Sequence, residues 1–577
     1  MTRYKRPDRW LTALLVLALV AAACGSDGGD SQETASDSDD GITTATVDDA
    51  DGESSSEITI TNIDEEGMAS LVGQKVTADP LGDRGPEPSG TLSFGWNTGF
   101  SPVWFDPSVN TTSVSQFATQ YVLHDALVKG MPGRVLAPSL AESYMIAPDF
   151  LSAEFTLREG LTFHDGSPLT TEDVAFTYTN YKGTGAEILQ GQLKEIEIVD
   201  DLTIRFHFNT PFLDFLVLYG STATGAGWIL PKDYYERVGP DGFLAAPIGA
   251  GPFKFVENQD NNVIVYEAFD DYWRKNPGVE TLNWHAIADN ATRFAALQTG
   301  ELDLATVFPG DLLDAIRADP NLDLVPTTGA PFWLEFVGYE DPSNPFHDKR
   351  VREAVSLALD RATIQQAEAG GGGGIEGQWI PEDYSGALQV ETPYEFNVDK
   401  ARELMAEAGY PDGFDAGMIT PLLSQLPLTE RVVTMLAEIG ITLEINQIDR
   451  GEFLAEIGAG KEGTLTGVIK NISGAGGDAF SRIRNFATCD GQASRICDPF
   501  IDERVAAYDA STDLAERQEI SEEIQQYMID ELHFVYVYDL GLNHGQGPRV
   551  VEDPSTVWAQ IPQYVYPGLW EDINVTD

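Results

Sequence analysis

The residue types that most often carry catalysis are few in this chain and are not spaced for it. Gly458-Ala-Gly-Lys461 invites comparison with a phosphate-binding loop, but Ala455 stands where that loop needs its first glycine and Glu462 where it needs Ser or Thr. The chain contains no His-Glu-x-x-His and no Gly-x-Ser-x-Gly. The seven histidines are scattered without close ligand spacing. We therefore predict a protein that is not an enzyme and needs no cofactor or metal.

Composition narrows the class of protein further. The chain has 577 residues, of which 42% are hydrophobic, so it can bury substantial cores in several domains. Its 35 basic and 92 acidic residues leave a net charge of −57, which repels nucleic-acid phosphates. Three cysteines are too few for a cysteine-rich metal cluster or a disulfide-dense scaffold. We therefore expect a large acidic protein that does not bind nucleic acid.

The elements that must position any site are strands and helices mixed along the chain without an internal repeat. Residues 203–208 alternate apolar and polar side chains, which predicts a half-buried strand, and 91–96 and 441–445 show the same tendency. The glycine run Gly370–Gly374 is expected to be a mobile loop. Apolar spacing and capping residues predict helices over 111–128, 348–359, 399–408, 430–439 and 512–530. This mixture indicates α/β lobes.

The first residues predict export. Four basic residues precede an almost entirely apolar run, Trp10–Ala23, which is too short to span a bilayer, so 1–23 is predicted to be a signal peptide. Small residues lead into Cys24, which resembles the lipobox of bacterial lipoproteins; the alternative is a plain signal peptide followed by an incidental cysteine. We expect Cys24 to be acylated, holding the protein at the outer face of the cytoplasmic membrane, in the cell envelope or periplasmic space.

Residues 24–89 are predicted to form a disordered acidic tether. Within 25–66 there are fourteen acidic residues and no Lys or Arg, a composition that cannot bury enough apolar surface to fold. The remaining residues, 67–89, are mixed in composition and contain Pro80, Pro86 and Pro88, so we expect them to extend the tether. We therefore place the start of the folded body at about residue 90.

Several short stretches of the body, taken together and in order, resemble one protein family. In chain order they are Phe155-Thr-Leu-Arg-Glu-Gly160, Phe163-His-Asp-Gly-Ser-Pro-Leu-Thr170, Pro247-Ile-Gly-Ala-Gly-Pro-Phe253, Tyr266-Glu-Ala-Phe-Asp-Asp-Tyr-Trp273, Ala288-Asp-Asn-Ala-Thr-Arg293, Asp348-Lys-Arg-Val-Arg352, Ala358-Leu-Asp-Arg361 and Lys400-Ala-Arg-Glu-Leu404. The combination is similar to the extracytoplasmic solute-binding proteins of the dipeptide/oligopeptide/nickel class, family 5, which feed ABC importers.

The resemblance implies an α/β fold, a two-lobed clamp of the periplasmic-binding-protein type that is built from three domains with a hinge and is oligopeptide-binding-protein-like. Lobe I is expected to hold about 90–130, 225–328 and 540–577, with an inserted domain at about 131–224 and lobe II at about 329–539. Solute would bind in the cleft and favour closure. The implied partners are a small solute, with peptide as the leading candidate, and ABC permease subunits with cytoplasmic ATPases. Contact with the membrane is expected through the lipid anchor only.

One departure from the family pattern concerns the ligand's ammonium group. Peptide-binding relatives need an acid for the ammonium and a base for the carboxylate. Their acid follows a Gly-Trp pair, and counting without gaps from Gly463 puts the tryptophan position at Ile472 and the acid position at Ala475. Asp478, three residues further on, could substitute only if the loop is rearranged. A buried ammonium without a carboxylate is costly, so we expect weak binding of free-amine peptides.

The candidate ligand-contacting residues come from two stretches. Trp96 and Asn97 end the first strand, where relatives touch ligand; the alternative is that Trp96 lies in the core. The second stretch follows a later strand and comprises Ile472, Ser473, Gly474, Ala475 and Asp478. Its small residues leave room for a bulky ligand, and the alternative is a flexible surface loop.

Relatives also often carry cysteines near Cys489 and Cys497. Export permits a structural disulfide between them, and two free thiols are the alternative.

Two function classes therefore stand. The first is a non-catalytic binding lipoprotein that hands a peptide, or alternatively an oligosaccharide or other non-peptide solute, to an ABC permease. The second is a secreted hydrolase, which requires a catalytic constellation that the motifs do not provide.

Overall fold

The structure is a computed structural model of the chain, and part of the chain is described by it. The described residues are 42–48, 54–60, 71–78, 81–109, 114–131, 134–183, 185–260, 262–369, 373–375, 377–381, 384, 386–390, 394–421, 425–448, 450–472, 479–491, 493–558 and 566–576. Within these ranges, no helix combines the length and the apolar character that crossing a membrane requires. The predicted signal peptide and Cys24 lie outside the described residues.

Nineteen strands are described, and their bounds follow in chain order. They are β1 Ile42–Asp48, β2 Ser54–Ile60, β3 Lys75–Thr77, β4 Thr91–Trp96, β5 Val128–Met131, β6 Arg134–Pro138, β7 Ala141–Ile146, β8 Ser152–Leu157, β9 Leu193–Ile198, β10 Thr203–Phe208, β11 Phe253–Gln259, β12 Val263–Ala268, β13 Thr281–Ala286, β14 Leu304–Ala305, β15 Asp323–Phe336, β16 Phe414–Pro421, β17 Ile441–Ile445, β18 Val468–Ile472 and β19 Phe534–Gln546.

The described helices alternate with these strands. They are α1 Val114–Leu123, α2 Thr171–Asn180, α3 Ala186–Gln192, α4 Lys232–Ala245, α5 Asn290–Thr299, α6 Gly310–Ala318, α7 Lys349–Ala358, α8 Arg361–Ala369, α9 Val398–Glu407, α10 Leu426–Ala437, α11 Arg450–Gly458, α12 Ala479–Ala487, α13 Pro499–Ala510, α14 Leu514–Glu531 and α15 Pro554–Val557.

Local signals in the sequence explain many of these bounds. On β10, Ile204, Phe206 and Phe208 are buried while the residues between them are half-exposed, as the alternation predicts. The Asp348 carboxylate accepts the amide hydrogen of Arg350 and so caps α7. Helix α14 differs from its prediction in detail, because Asp513 and not Thr512 accepts hydrogen bonds from its first turn.

The strands form one large mixed sheet and three smaller sheets. The large sheet has the order β11-β12-β13-β4-β14-β19-β15-β18-β16-β17, and a five-stranded antiparallel sheet has the order β3-β7-β8-β10-β9. The pairs β1-β2 and β5-β6 form two-stranded sheets. Separate hydrophobic cores lie against the two ends of the large sheet and against the five-stranded sheet. The protein is therefore a two-lobed α/β clamp whose lobes share one sheet, as the resemblance implies.

The predicted tether differs from the structure at two places. Strands β1 and β2 pair antiparallel, with Ile42 opposite Ile60, within the segment that was expected to be disordered. Strand β3 pairs with β7, and Leu71 and Val76 are each 1% exposed. Leu71 and Val76 thus belong to the core of the five-stranded sheet although they precede the expected boundary at about residue 90, because a few apolar side chains inside a polar stretch suffice to join an existing core.

Candidate functional site

The strand directions bring two sets of carboxyl ends towards one region between the lobes, which we call the gap. In lobe I, β13, β4 and β14 are parallel, and β14 runs antiparallel to β19, with Ala305 opposite Gly545. In lobe II, β17, β16 and β18 are parallel, and β18 runs antiparallel to β15, with Ile472 opposite Phe332. The carboxyl ends of both parallel sets therefore point towards the middle of β15 and β19. Ligands of α/β sheets bind at such carboxyl ends.

Strands β15 and β19 cross from one lobe to the other and form the hinge. They pair with each other from Asp323 opposite Gln546 to Glu335 opposite Phe534, and the register shifts twice, beginning between Thr328 and Pro331. A shift in register locally disrupts a ladder and bends its strands. These shifts lie in the middle of the crossing strands, between the parts of β15 and β19 that belong to the two lobes.

A glycine segment packs directly against the hinge. The amide of Asp539 donates to the carbonyl of Gly374 at 2.8 Å, and the amide of Gly374 donates to the carbonyl of Asp539 at 3.3 Å. Gly373 has φ +72°, and a Cβ there would lie 2.1 Å from the carbonyl oxygen of Asp539. The expectation of a mobile loop is therefore wrong for Gly373 and Gly374, which brace β19; 370–372 lie outside the described residues.

The first predicted contact pair lies at the lobe I side of the gap. Trp96 is the last residue of β4, but its ring is fully buried and stacks on Trp284 with 5.5 Å between ring centres. The ring therefore lies in the core, which is the alternative that the sequence left open. Asn97 follows at the carboxyl end of the strand and is half-buried.

The second predicted stretch begins at the lobe II side of the gap. Ile472 is the last residue of β18, directly opposite Phe332 of the hinge strand. Ser473, Gly474, Ala475 and Asp478 lie outside the described residues. The two predicted stretches thus start from facing strand ends of different lobes, which sequence order alone does not show.

Two buried ionisable groups near this strand end were not predicted. Lys470 of β18 is fully buried, its Nζ lies 4.0 Å from the centre of the Phe332 ring, and burial lowers its pKa to about 7. Glu335 of β15 is also fully buried, and burial raises its pKa to about 7, although Asn471 donates to it at 3.2 Å. The signal available in the sequence for Lys470 was a charged residue between the apolar residues of the strand Val468–Ile472.

The stretches that carry the family resemblance mainly build the fold. The Nδ1 of His164 accepts the amide of Gly249 at 3.1 Å, so its Nε2 carries the proton and donates to the carbonyl of Gly251 at 3.0 Å. Burial lowers the pKa of His164 to about 3, which keeps this ring neutral. A Cβ on Gly249 would lie 2.1 Å from the carbonyl oxygen of Leu123. The His-Asp-Gly and Gly-Ala-Gly stretches therefore lock the inserted domain to lobe I.

A largely buried polar network joins separate segments of lobe I. The hydroxyl of Tyr272 donates to Asp125 at 2.8 Å, and the indole of Trp273 donates to the same carboxylate at 2.7 Å. Lys129 pairs with Asp125 at 3.1 Å, and both side chains are at most 1% exposed. Such a network holds the parts of lobe I rigid, because every member that loses its partner would be left buried and unsatisfied.

Arginines of the same stretches satisfy backbone carbonyls beside the gap. Arg293 donates to the carbonyls of Thr306 at 3.0 Å and Val307 at 2.6 Å, immediately after β14. Arg361 donates to the carbonyl of Tyr536 in the hinge strand at 2.7 Å. Arg293 thereby fixes the backbone at the carboxyl end of β14, and Arg361 fixes the backbone of β19 within lobe II.

The two cysteines expected to pair, Cys489 and Cys497, are joined by a disulfide that closes a short loop in lobe II. The amide of Cys489 donates to Asp502 at 3.0 Å, which ties this loop to α13.

Comparison with known proteins gives the family. The model of the bacterial extracellular solute-binding proteins, family 5, middle region, matches residues 135–494. The heme-binding protein A of Haemophilus influenzae is 29% identical over 423 residues, which cover 68% of this chain and 76% of the relative. The dipeptide-binding protein of Escherichia coli is 26% identical over 503 residues, covering 81% of this chain and 90% of the relative.

A solved structure agrees with these relatives in fold. The periplasmic binding protein AgaA of A. tumefaciens R10, in complex with agropinic acid, superposes with a TM-score of 0.70 at 26% identity. The match covers 85% of this chain and 99% of that one. These relatives are binding proteins and not enzymes, so the hydrolase alternative is excluded. The chain therefore belongs to family 5 of the bacterial extracellular solute-binding proteins, the binding components of ABC importers.

Proposed function

We propose that this chain is the solute-capturing lipoprotein of an ABC importer, held at the membrane by an acylated Cys24, and that it delivers a peptide or peptide-like solute to the permease. The observation that carries the proposal is the arrangement of the large sheet, in which strand ends of two lobes face one gap across two crossing strands. Strand ends offer backbone N–H and C=O groups, which suit a ligand recognised through its own backbone.

The relatives support a peptide as the solute, and one residue restricts which peptides are expected to bind. One relative is a dipeptide-binding protein. Counted without gaps from Gly463, the position expected to carry the acid for the ligand's ammonium holds Ala475. We therefore propose a solute that presents amide groups but whose binding does not depend on a free α-ammonium.

A non-peptide solute is the second candidate, and two observations favour it. The position expected to carry the ammonium-binding acid, counted without gaps from Gly463, holds Ala475, and a relative of this fold at 26% identity holds agropinic acid. The two candidates differ in the chemistry of the ligand and not in the action of the clamp, because either solute would bind between the lobes and favour their approach.

Ligand-induced stabilisation of the chain tests the proposal. The full chain carrying Cys24→Ser would be screened with di- to octapeptides, the same peptides N-acetylated, oligosaccharides, agropinic acid and heme. A ligand at about 100 times its Kd adds about 2.7 kcal/mol to the free energy of unfolding, which a thermal melt resolves. We expect stabilisation by peptides, with acetylated peptides at least as effective as free ones. A shift with only the non-peptide solutes would establish the second candidate, and no shift with any of them would refute the capture role.

The role of position 475 is tested separately. We expect Ala475→Asp to tighten binding of free-amine peptides but not of their acetylated forms, because a carboxylate compensates only a charged ammonium. Ala475→Asn, which has the same size without the charge, is the matched control. Equal effects of the two substitutions, or tight binding of free peptides by the unaltered chain without any gain from Asp, would contradict the assignment.

The lipid anchor and delivery are tested in cells. We expect a labelled fatty acid to be incorporated into the unaltered chain but not into Cys24→Ser, and Cys24→Ser to leave the membrane fraction. Cells lacking the chain are expected to lose uptake of the stabilising solute. Persistence of Cys24→Ser in the membrane fraction would contradict the anchor.

A further inference from the structure

One ion pair joins the inserted domain to lobe II outside the hinge strands. Asp214 lies between β10 and the short π-helical turn Leu216–Gly220, and Arg517 lies near the start of α14. The Nη2 of Arg517 is 3.0 Å from each carboxylate oxygen of Asp214, across 303 residues of sequence. Between the described parts of segments 131–224 and 329–539, it is the one ion pair present.

Packing fixes the Arg517 side chain in the position from which it contacts Asp214. Its side chain is 6% exposed, and its guanidinium carbon lies 3.8 Å from the centre of the Tyr508 ring. The Asp214 side chain is 28% exposed. A guanidinium that is already fixed on an aromatic face loses little further freedom when it binds a carboxylate, so the pair is stronger than one between two exposed side chains.

The surroundings of the pair are complementary in both apolar contact and charge. Leu514, one turn before Arg517, packs against the hydrophobic core of the inserted domain. Arg484 of α12 adds positive charge that acts on Asp214, while its own guanidinium donates to Asp509. In a chain of net charge −57, two acidic lobes repel each other, and this contact opposes that repulsion locally.

We propose that Asp214 and Arg517 form a latch that stabilises the arrangement in which the lobes touch, and that the latch thereby raises solute affinity without contacting the solute. A ligand that binds the closed arrangement has an apparent affinity proportional to the fraction of protein that is closed. Removing the latch lowers that fraction and releases the solute faster. The effect on affinity rests on the proposed function, whereas the effect on the distance between the lobes does not.

The latch is tested by a distance measurement that needs no ligand. Spin labels would be attached to Ile188→Cys in the inserted domain and Phe396→Cys in lobe II, both at exposed positions, in the full chain carrying Cys24→Ser. Cys489 and Cys497 are bonded to each other and do not react. Double electron–electron resonance then gives the distribution of distances between the lobes for the unaltered chain and for each variant.

We expect Asp214→Asn and Arg517→Met to shift the distribution to longer distances, and the charge-exchanged pair Asp214→Arg with Arg517→Asp to restore the shorter one. Met keeps an apolar stem against Tyr508 and removes the charge together with the N–H donors. Arg317→Gln is the matched control, because it breaks an ion pair with Asp314 inside lobe I. Unchanged distances in both single variants, an equal shift in the control, or failure of the exchanged pair to restore the distance would overturn the latch.

The affinity effect is measured with whichever solute stabilises the chain in the ligand screen. We expect the off-rate to rise about tenfold in Asp214→Asn, while the on-rate stays within about twofold. A longer distance with an unchanged off-rate would overturn the claim that the latch sets affinity. If no solute stabilises the chain, the proposed function fails, and the distance measurement still decides whether the latch exists.

Discussion

The buried amine of Lys470 allows a quantitative prediction about the packing of lobe II. Its Nζ has no hydrogen-bond partner among the described residues. The charge of Glu368 raises the pKa of Lys470, but less than burial lowers it. Met is unbranched, apolar and of similar length, so Lys470→Met removes the charge and keeps the volume. We expect this substitution to stabilise the protein.

The size of the effect follows from the pKa. Burial lowers the pKa of Lys470 from 10.5 to about 7. Each pKa unit corresponds to about 1.4 kcal/mol, so burying the ammonium costs up to about 5 kcal/mol. Between pH 7 and 10.5 the unfolded chain binds the proton and the folded chain does not, so the stability of the unaltered protein rises with pH. The cost is therefore fully present below pH 7 and is lost as the pH approaches 10.5.

Denaturant unfolding at pH 6, 7, 8 and 9 measures this dependence. We expect Lys470→Met to be the more stable protein at pH 6, and its advantage to shrink by about 2 to 3 kcal/mol between pH 7 and 9. Lys461→Met is the control, because the Lys461 side chain is exposed and donates to the carbonyl of Cys489 at 3.1 Å. An advantage of Lys470→Met that is constant across this range, or equal in both variants, would refute the reasoning.

Three further predictions concern buried Glu335, the disulfide of lobe II and the glycine segment beside the hinge. Burial raises the pKa of Glu335 from 4.5 to about 7, so the stabilisation gained by Glu335→Gln should grow with pH, whereas that of Lys470→Met shrinks. We expect Glu335→Gln to raise the free energy of unfolding by about 3 kcal/mol at pH 8 and by little at pH 4.5. A difference that does not depend on pH would contradict this prediction. Replacing both Cys489 and Cys497 by Ser should cost about 2 to 3 kcal/mol in denaturant unfolding, and equal midpoints would show that the loop is held by other contacts. Gly373→Ala should lower the melting temperature more than Gly300→Ala, since both have positive φ but only Gly373 meets backbone at 2.1 Å; equal losses would show that the glycine segment does not brace the hinge.

The positions of many elements were predictable because they depend on local periodicity and capping. The alternation over 203–208 gives a strand with the same bounds, and Asp348 caps the helix that it was expected to cap. Gly409 and Gly440 end their helices with φ of +94° and +84°. The family was also predictable, because its stretches occur in order along the chain. Each of these features depends on residues that are close together in the sequence.

The sequence misjudged features that depend on which distant segments meet. Gly370–Gly374 reads as a mobile loop in isolation, yet Gly373 and Gly374 pack against β19, more than 160 residues away, and a Cβ on Gly373 would clash with the backbone of Asp539. Trp96 ends its strand, as predicted, but neighbouring strands bury its ring. The periodicity of one strand does not reveal what covers each of its faces.

The sequence alone thus determined the family, the α/β character, the acidic net charge and the bounds of the most regular elements. The tertiary structure decided that both lobes share one sheet, that β15 and β19 cross between them, and that Asp214 meets Arg517. The physical reason is range: helix and strand signals come from residues a few positions apart. Residues separated by tens to hundreds of positions decide the register of the sheet, the burial of Lys470 and Glu335, and the contact between the lobes. No local sequence pattern shows that such residues meet.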